Sequence, residues 1–216
     1  LGASNNIDRS SDILSILMMQ NGAEMISTDG SRVMFTSKPG VEALRFYTDF
    51  ANQGKEVYTW NSKLKNSIDM FVQGKLAMLL GYAYDLPTIK SRGAKINLGI
   101  APLPQIEGNL QRVNYANYWV ETVSSKTKNP EAAWDFLQFA VDEKNVKSYL
   151  EKTKKPTALR SLIEGQKAGM DLDVFADQIL TAKNWYKGKD SNAMEKIMKD
   201  MIDQVNAGGK EIGEVI

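Results

Sequence analysis

Aromatic side chains, several of them beside amides or glycines, are concentrated in three short segments of this sequence: residues 81–85, 114–119 and 184–186. Flat aromatic faces with polar edges suit the noncovalent binding of a ligand that has both apolar and polar surface. The chain contains no histidine and no cysteine, which removes the commonest general base, the thiolate nucleophile and the usual metal ligands. Acidic residues are plentiful, but none lies in a recognisable catalytic motif. The three segments therefore indicate binding without catalysis, metal or cofactor.

The elements that must position these segments alternate between helix and strand. Capping and breaking residues predict helices that begin near residues 10, 37, 67, 85, 129 and 190. One of the residues 10–12 is expected to cap the first of these helices. Apolar runs predict buried strands at residues 76–80, 97–101 and 119–123. Trp60, Trp134 and the methionine stripe of the last long helix are assigned to packing. This alternation predicts an α/β fold with a helical C-terminal region.

Bulk composition excludes several classes of protein. The chain has 216 residues, of which 43% are hydrophobic and 25% are charged, as expected of a folded domain or two small ones. Its 27 basic and 26 acidic residues nearly cancel, so the chain lacks the basic surface that nucleic-acid binding requires. We find no run of about eighteen apolar residues, and therefore expect no membrane span. A signal segment is not recognisable at Leu1.

Several local patterns occur in a fixed order along the chain. They are Gln20-Asn21-Gly22, the Phe-x-x-Gly-Lys-x-Ala-Met pattern of residues 71–78, the Gly-x-x-Tyr of residues 81–84, Ala101-Pro102-Leu103-Pro104, and residues 128–136 from Lys128 to Phe136. Each pattern alone is weak, but their order is specific. In these residues the chain resembles the family 1 extracellular solute-binding proteins of ABC transporters, the group that contains the maltose-binding protein.

The resemblance implies a periplasmic-binding-protein-like fold of type II, of which this chain would hold the C-terminal lobe. It implies that residues 1–122 form the α/β core of that lobe, that residues 123–159 cross to a missing N-terminal lobe, and that residues 160–216 return as helices. The C-terminal residues 211–216 would begin a helix that relatives continue. We therefore expect a fragment, whose apolar face around Phe136 and Leu137 would be covered by another copy of the chain, by rearrangement or by a remnant of the other lobe.

The implied function is capture of a sugar or oligosaccharide between two lobes, followed by delivery to the transmembrane subunits of an ABC permease. The protein would be extracytoplasmic, either periplasmic or anchored to the cell surface as a lipoprotein, and it would not be an enzyme. Two alternatives stay open: a glycan-active enzyme, which needs paired carboxylates across a cleft, and a cell-surface module that binds proteins.

Within this resemblance, Tyr82 and Tyr84 are candidates to stack on the apolar faces of a sugar ring, because they follow a predicted strand at its carboxyl end. Relatives more often have tryptophan at the position of Tyr84. An ordinary core tyrosine is the alternative. Asp12 lies where relatives contribute polar ligands, and a helix cap explains it equally well.

The segment 114–119 is denser in aromatics and amides than a plain connection needs. We expect Asn117, Tyr118 and Trp119 to bind ligand through side chains, since Ala116 and Asn117 replace the glycines of relatives. The alternative is that Tyr118 and Trp119 begin a buried strand. Trp185 precedes the last long helix, where relatives place an aromatic over the sugar, although a hydrophobic staple would also account for it.

Overall fold

The computed structural model describes residues 1–93, 95–109, 111–169 and 172–216. Helices dominate it: α1 Ser10–Gln20, α2 Lys38–Asp49, α3 Ser67–Val72, α4 Leu86–Arg92, α5 Pro130–Val141, α6 Glu143–Thr153, α7 Ile163–Lys167, α8 Asp173–Gln178, α9 Ser191–Ala207 and α10 Ile212–Val215. Single 3₁₀ turns lie at Ala83–Asp85, Arg160–Leu162 and Ile179–Thr181. None of the described helices is both long and apolar enough to cross a membrane.

The sheet is small. Strand β1, Asn114–Tyr115, pairs in parallel with β2, Ala182–Lys183, so that Asn114 is opposite Ala182 and Tyr115 is opposite Lys183. Parallel strands need a long crossover, and here the chain from α5 to α8 makes it. An isolated antiparallel bridge between Ile26 and Val33 closes the predicted turn that follows α1.

The core lies where α1, α2 and α9 meet. Their apolar residues recur at helical spacing, so each helix has one face that packs on the other two. The completely or almost completely buried side chains include Leu14, Met18, Leu44, Tyr47, Met198 and Ile202. Trp60 and Met201 are also buried in this cluster, which confirms the packing role predicted for Trp60 and for the centre of the methionine stripe.

Local signals set most of the helix ends. The Asp190 side chain accepts hydrogen bonds from the backbone N–H groups of Asn192, at 3.0 Å, and Ala193, at 3.1 Å, and thereby caps α9. Gly22 adopts a φ of 89° directly after α1, a conformation that glycine tolerates without strain. The predicted helices therefore form with ends close to those expected.

The start of α1 differs from the prediction. Arg9, in a left-handed conformation with φ 55°, occupies the cap position, and among the described residues no side chain caps the helix. Ser10, Ser11 and Asp12 lie inside the first turn and are buried. The cap interpretation of Asp12 is thus wrong, because this carboxylate has tertiary partners.

The three predicted strands are also wrong. Residues 76–80, 97–101 and 119–123 have no regular secondary structure, and most of their side chains are partly or fully exposed, with Met78 at 84%. A strand is held by hydrogen bonds to a neighbouring strand, and in the part of the chain that the structure describes no strand pairs with these runs. Trp134 is likewise more than half exposed on α5, so its assignment to packing is wrong within this chain.

Candidate functional site

One face of α1 is polar and buried. Ser11, Asp12 and Ser15 are each at least 97% inaccessible to solvent, although the opposite face of the same helix packs in the apolar core. Buried polar groups require hydrogen-bond partners, and the Ser15 hydroxyl donates one to the carbonyl oxygen of Ser11 at 2.8 Å. This face of α1 is the floor of the candidate site.

Asp12 is the centre of its polar contacts. The Tyr82 hydroxyl donates to Asp12 Oδ2 at 2.9 Å, and Lys187 Nζ lies 3.2 Å from Asp12 Oδ1. Lys187 Nζ also contacts Glu195 Oε1 at 3.0 Å. The side chains of Asp12 and Lys187 are only 4% and 15% exposed. The network therefore joins α1, the Tyr82 segment, the linker before α9, and α9 itself.

The environment shifts the protonation of these groups. Burial, followed by the nearby Asp12 charge and its hydrogen bond, raises the pKa of Tyr82 far above its ordinary value, so Tyr82 stays a hydrogen-bond donor. Burial lowers the pKa of Lys187, but the attraction of Tyr115, Asp12 and Glu195 exceeds that effect and raises it overall. Lys187 is therefore charged at neutral pH.

The Tyr115 hydroxyl projects from β1 into the same region. Burial raises the pKa of Tyr115 to about 12. Ser15 and Lys187 lie beside this hydroxyl and favour its ionised form, but among the described residues no hydrogen bond of standard geometry satisfies it.

Tyr82 and Tyr84 form a stacked pair. Their ring centroids are 5.3 Å apart and the ring planes differ by 19°. Asp85 Oδ2 accepts a hydrogen bond from the Tyr82 backbone N–H at 2.9 Å, which fixes the turn that carries both rings. Arg9 Nε donates to the Tyr84 hydroxyl at 3.0 Å. Because 42% of Tyr84 is exposed, its outer side is available to a ligand.

A cavity of about 350 Å³ opens beside Tyr84. Its lining mixes carboxylates, cations and a hydroxyl: Asp8, Arg9, Ser11, Tyr84, Asp85, Glu195 and Lys199. Burial raises the pKa of the Asp85 carboxyl above its ordinary value. The cavity thus offers hydrogen-bond donors and acceptors together with one aromatic ring, the combination that a polyhydroxylated ligand needs.

Trp185 lies on the same polar face, one turn further along α1. Its Nε1–H donates to Ser15 Oγ at 3.3 Å, and its ring meets the edge of Phe35, with centroids 6.0 Å apart. The ring is partly buried against the core. Asp12, Tyr82, Tyr84 and Trp185, which are distant in sequence, are therefore brought together along α1.

Asn117, Tyr118 and Trp119 lie on the loop that follows β1. All three are exposed, Trp119 at 92%, so the alternative of a buried strand is wrong for Tyr118 and Trp119. The Asn184 amide donates to the carbonyl oxygen of Ala116 at 2.8 Å, which ties this loop to the Trp185 segment. The loop does not line the cavity beside Tyr84, and its role in binding stays a prediction.

Sequence reasoning did not identify several residues of this site. Ser11 and Ser15 could have been found, because they form a polar stripe with Asp12 on an otherwise apolar helix. Lys187 and Glu195 carry no sequence signal, since Lys187 contacts a carboxylate 175 residues away.

Comparison with known proteins identifies the family. The family described as bacterial extracellular solute-binding protein matches residues 6–176, most of this chain. The maltodextrin-binding protein MdxE of Bacillus subtilis is 29% identical over 150 residues, which are 65% of this chain and 34% of that protein. A galactooligosaccharide-binding protein of the same bacterium is 31% identical over 93 residues, 43% of this chain and 22% of that protein.

Solved structures show the same fold. A cyclo/maltodextrin-binding protein complexed with maltotetraose superimposes with a TM-score of 0.75 at 17% identity, covering 94% of this chain and 54% of that one. An ABC transporter solute-binding protein from Thermotoga lettingae, bound with α-D-tagatose, gives 0.73 at 17% identity, covering 99% and 56%. This confirms the predicted periplasmic-binding-protein-like fold. The chain spans little more than half of these structures, and it belongs to the bacterial extracellular solute-binding protein family.

Proposed function

We propose that this chain is part of the substrate-binding component of an ABC importer, and that it captures a sugar or oligosaccharide and delivers it to a membrane permease. The observation that carries the proposal is the exposed side of Tyr84, stacked from behind by Tyr82 and bordered by Arg9 and Asp85. A pyranose has apolar C–H faces edged by hydroxyls. An aromatic ring flanked by fixed donors and acceptors is complementary to both surfaces.

The residues proposed to bind the ligand are Asp12, Tyr82, Tyr84, Asn117, Tyr118, Trp119 and Trp185. The geometry suggests different roles for them. Tyr84 offers an exposed ring beside the cavity, whereas both carboxylate oxygens of Asp12 are engaged by Tyr82 and Lys187, so Asp12 acts through Tyr82. The exposed loop of Asn117, Tyr118 and Trp119 would cover the ligand from a second side.

We propose binding without catalysis. A glycosidase requires one carboxylic acid and one carboxylate placed across the scissile bond. The buried carboxylate among the described residues, Asp12, has one oxygen bound by the Tyr82 hydroxyl and the other by Lys187, so neither oxygen is free to face a scissile bond. The matched relatives are named as binding proteins, which supports the same conclusion.

We also propose that residues 1–122 and 160–216 form one lobe and that residues 123–159 cross to a second lobe of the complete protein. The support is the surface of α5, in which no residue is buried, although Phe136, Phe139 and Val141 are large and apolar. Soluble proteins rarely expose a contiguous apolar surface of this kind without a partner. In the complete protein, the second lobe would be that partner, and the ligand would lie between the two lobes.

Family membership places the complete protein outside the cytoplasm, and we propose either a periplasmic protein or a lipoprotein on the cell surface. Its partners would be the sugar and the transmembrane subunits of the permease.

When the 216-residue chain is studied alone, α5 would drive self-association. Light scattering of that chain tests this point, and Phe136→Ser combined with Phe139→Ser should restore a monomer. A monomeric unsubstituted chain would contradict it.

Thermal denaturation of the full-length protein with a panel of monosaccharides, maltodextrins and galactooligosaccharides tests the proposed function. A ligand at a hundred times its Kd stabilises the folded state by about 2.7 kcal/mol, which raises the melting temperature measurably. Sugar alcohols at equal concentration control for nonspecific stabilisation. If amino acids or peptides raise the melting temperature and no sugar does, the proposed ligand class is wrong.

A further inference from the structure

The linker between β2 and α9, residues 184–190, has no regular secondary structure and carries Trp185. Three polar side-chain contacts join it to other segments of the chain. The Asn184 amide donates to the carbonyl oxygen of Ala116 at 2.8 Å, Trp185 Nε1–H donates to Ser15 Oγ at 3.3 Å, and Lys187 Nζ reaches Asp12 and Glu195 at 3.2 and 3.0 Å. Only the third contact is charged, and the side chains of Lys187 and Asp12 are largely shielded from water, at 15% and 4% exposure.

Shielding from solvent makes this contact strong and also makes its loss costly. A charge pair screened by water contributes little, whereas removal of one partner of a buried pair leaves an uncompensated charge. Asp12 and Glu195 approach the same ammonium group from α1 and α9. Without Lys187, the two carboxylates would repel each other, and the linker would lose its charged attachment to both helices.

The Lys187 ammonium group is also connected, through Asp12, to the Tyr82–Tyr84 pair. Asp12 uses Oδ1 for Lys187 and Oδ2 for the Tyr82 hydroxyl, and the Tyr82 ring stacks on Tyr84. A displaced Asp12 carboxylate would therefore release Tyr82 and, with it, Tyr84. Lys187 is thus connected to Trp185 through the linker and to the Tyr82–Tyr84 pair through Asp12.

We propose that Lys187 is a positioning residue that holds Trp185 and the Tyr82–Tyr84 pair in place without itself contacting the ligand. The identity of the ligand rests on the proposed function. The positioning of Trp185 and of the Tyr82–Tyr84 pair by Lys187 does not. It predicts that binding affinity and the order of Trp185 depend on the charge at position 187, even at temperatures where every variant is fully folded.

The first experiment measures sugar affinity by calorimetry in the full-length protein. Lys187→Met is compared with Lys187→Arg and with Lys189→Met, whose lysine lies exposed on the same linker. We expect Lys187→Met to weaken binding at least tenfold, Lys187→Arg to recover most of that loss, and Lys189→Met to change affinity less than twofold. A purely structural role would lower the melting temperature of Lys187→Met and leave its affinity at 20 °C within twofold of wild type, which would overturn the proposal.

The second experiment needs no sugar. Acrylamide quenching of Trp185 fluorescence, obtained by difference from the matching Trp185→Phe proteins, should increase about twofold in Lys187→Met and stay unchanged in Lys189→Met. Unchanged quenching in Lys187→Met overturns the positioning role, whether or not a sugar binds the wild type. Absence of sugar binding to the wild type would refute only the proposed function. If Lys187→Met does not fold, the double variant Asp12→Asn, Lys187→Met removes both charges, and the same two measurements on it decide the question.

Discussion

Two regions of this molecule use apolar residues in opposite ways. In the α1–α2–α9 core, each helix buries its apolar face against the other two, and residues such as Leu14, Leu44 and Ile202 are inaccessible to solvent. In the α5–α6 arm, residues 130–153, α5 buries no residue and α6 buries only Leu150. Both regions contain amphipathic helices with ordinary ends. The difference teaches that an apolar stripe specifies a helix, whereas burial requires a second surface, which the described chain provides to α1, α2 and α9 but not to α5.

The largest expected effect compares two phenylalanines. Phe35 is 3% exposed in the core and Phe136 is 65% exposed on the arm. We expect Phe35→Ala to lower the free energy of unfolding by about 3–5 kcal/mol, because it leaves a cavity, and Phe136→Ala to change it by less than about 0.5 kcal/mol. Urea denaturation of the 216-residue chain, diluted until light scattering reports a monomer so that α5 is not covered by a second copy, measures both. Equal losses would mean that α5 is packed in solution, and would break the comparison.

A second prediction concerns alkaline pH and the buried tyrosines beside α1. In the unfolded chain a tyrosine ionises near pH 10, whereas the pKa of Tyr115 in the folded chain is about 12. The unfolded chain therefore loses a proton first, and the free energy of unfolding decreases from pH 10 to pH 12, by up to about 2.7 kcal/mol for this group. Tyr82 and Tyr47, whose pKa values burial also raises, act in the same direction.

Tyr115→Phe should make this decrease smaller. Urea denaturation at several pH values between 9.5 and 11.5 gives the slope, and the difference between variant and wild type at pH 7 accounts for the loss of the hydroxyl itself. An unchanged slope would show that Tyr115 ionises normally in the folded chain, and that the polar face of α1 is more hydrated than its burial indicates.

The third prediction applies to binding. In the full-length protein, Tyr84→Ala should weaken sugar affinity by roughly 1–3 kcal/mol without unfolding the protein, because it removes a partly exposed stacking face. Tyr149→Ala, a similarly exposed tyrosine on the arm, is the control and should leave affinity unchanged. Calorimetry compares the two. If Tyr84→Ala binds normally, Tyr84 is a structural residue.

The smallest expected effect compares two helix caps. Asp190 caps α9 in the core, and Asp142 caps α6 in the arm by accepting from the Lys144 N–H at 3.0 Å. Each cap is worth about 1 kcal/mol to its own helix. We expect Asp190→Ala to show this cost in global unfolding, while Asp142→Ala shows less, because α6 can open locally with little loss of buried surface. Amide hydrogen exchange would detect that local opening, and equal global costs would contradict it.

Helix positions were predictable because their causes are local. Asp190, Pro130 and Gly22 act within a few residues of the ends they set, and apolar spacing selects the buried face of α1, α2 and α9. The family could be identified for a related reason, since the ordered patterns at residues 71–78, 81–84 and 128–136 lie in the chain itself. The candidates Tyr82 and Tyr84 lie in one of these patterns, and Trp185 was predicted from its place before the last long helix.

The strands and the partners of the site were not predictable, because their causes lie elsewhere in the chain. An apolar run such as residues 76–80 has the composition of a strand, but only a neighbouring strand can satisfy its backbone. Asp12 at the first turn of a helix has the sequence signature of a cap, but the fold brings Tyr82 and Lys187 to its carboxylate across 70 and 175 residues.

The sequence by itself therefore determined where six helices begin (α1 to α5 and α9), which face of the core helices is apolar, and the family to which the chain belongs. The tertiary structure alone decided that Asp12 is an ion-pair partner and not a cap, that Trp185 meets α1, and that α5 has no covering surface in the described chain. The physical reason is the distance along the sequence over which each effect acts. Capping and periodicity act over one or two helical turns, whereas burial and ion pairing depend on segments that become neighbours only after the chain has folded.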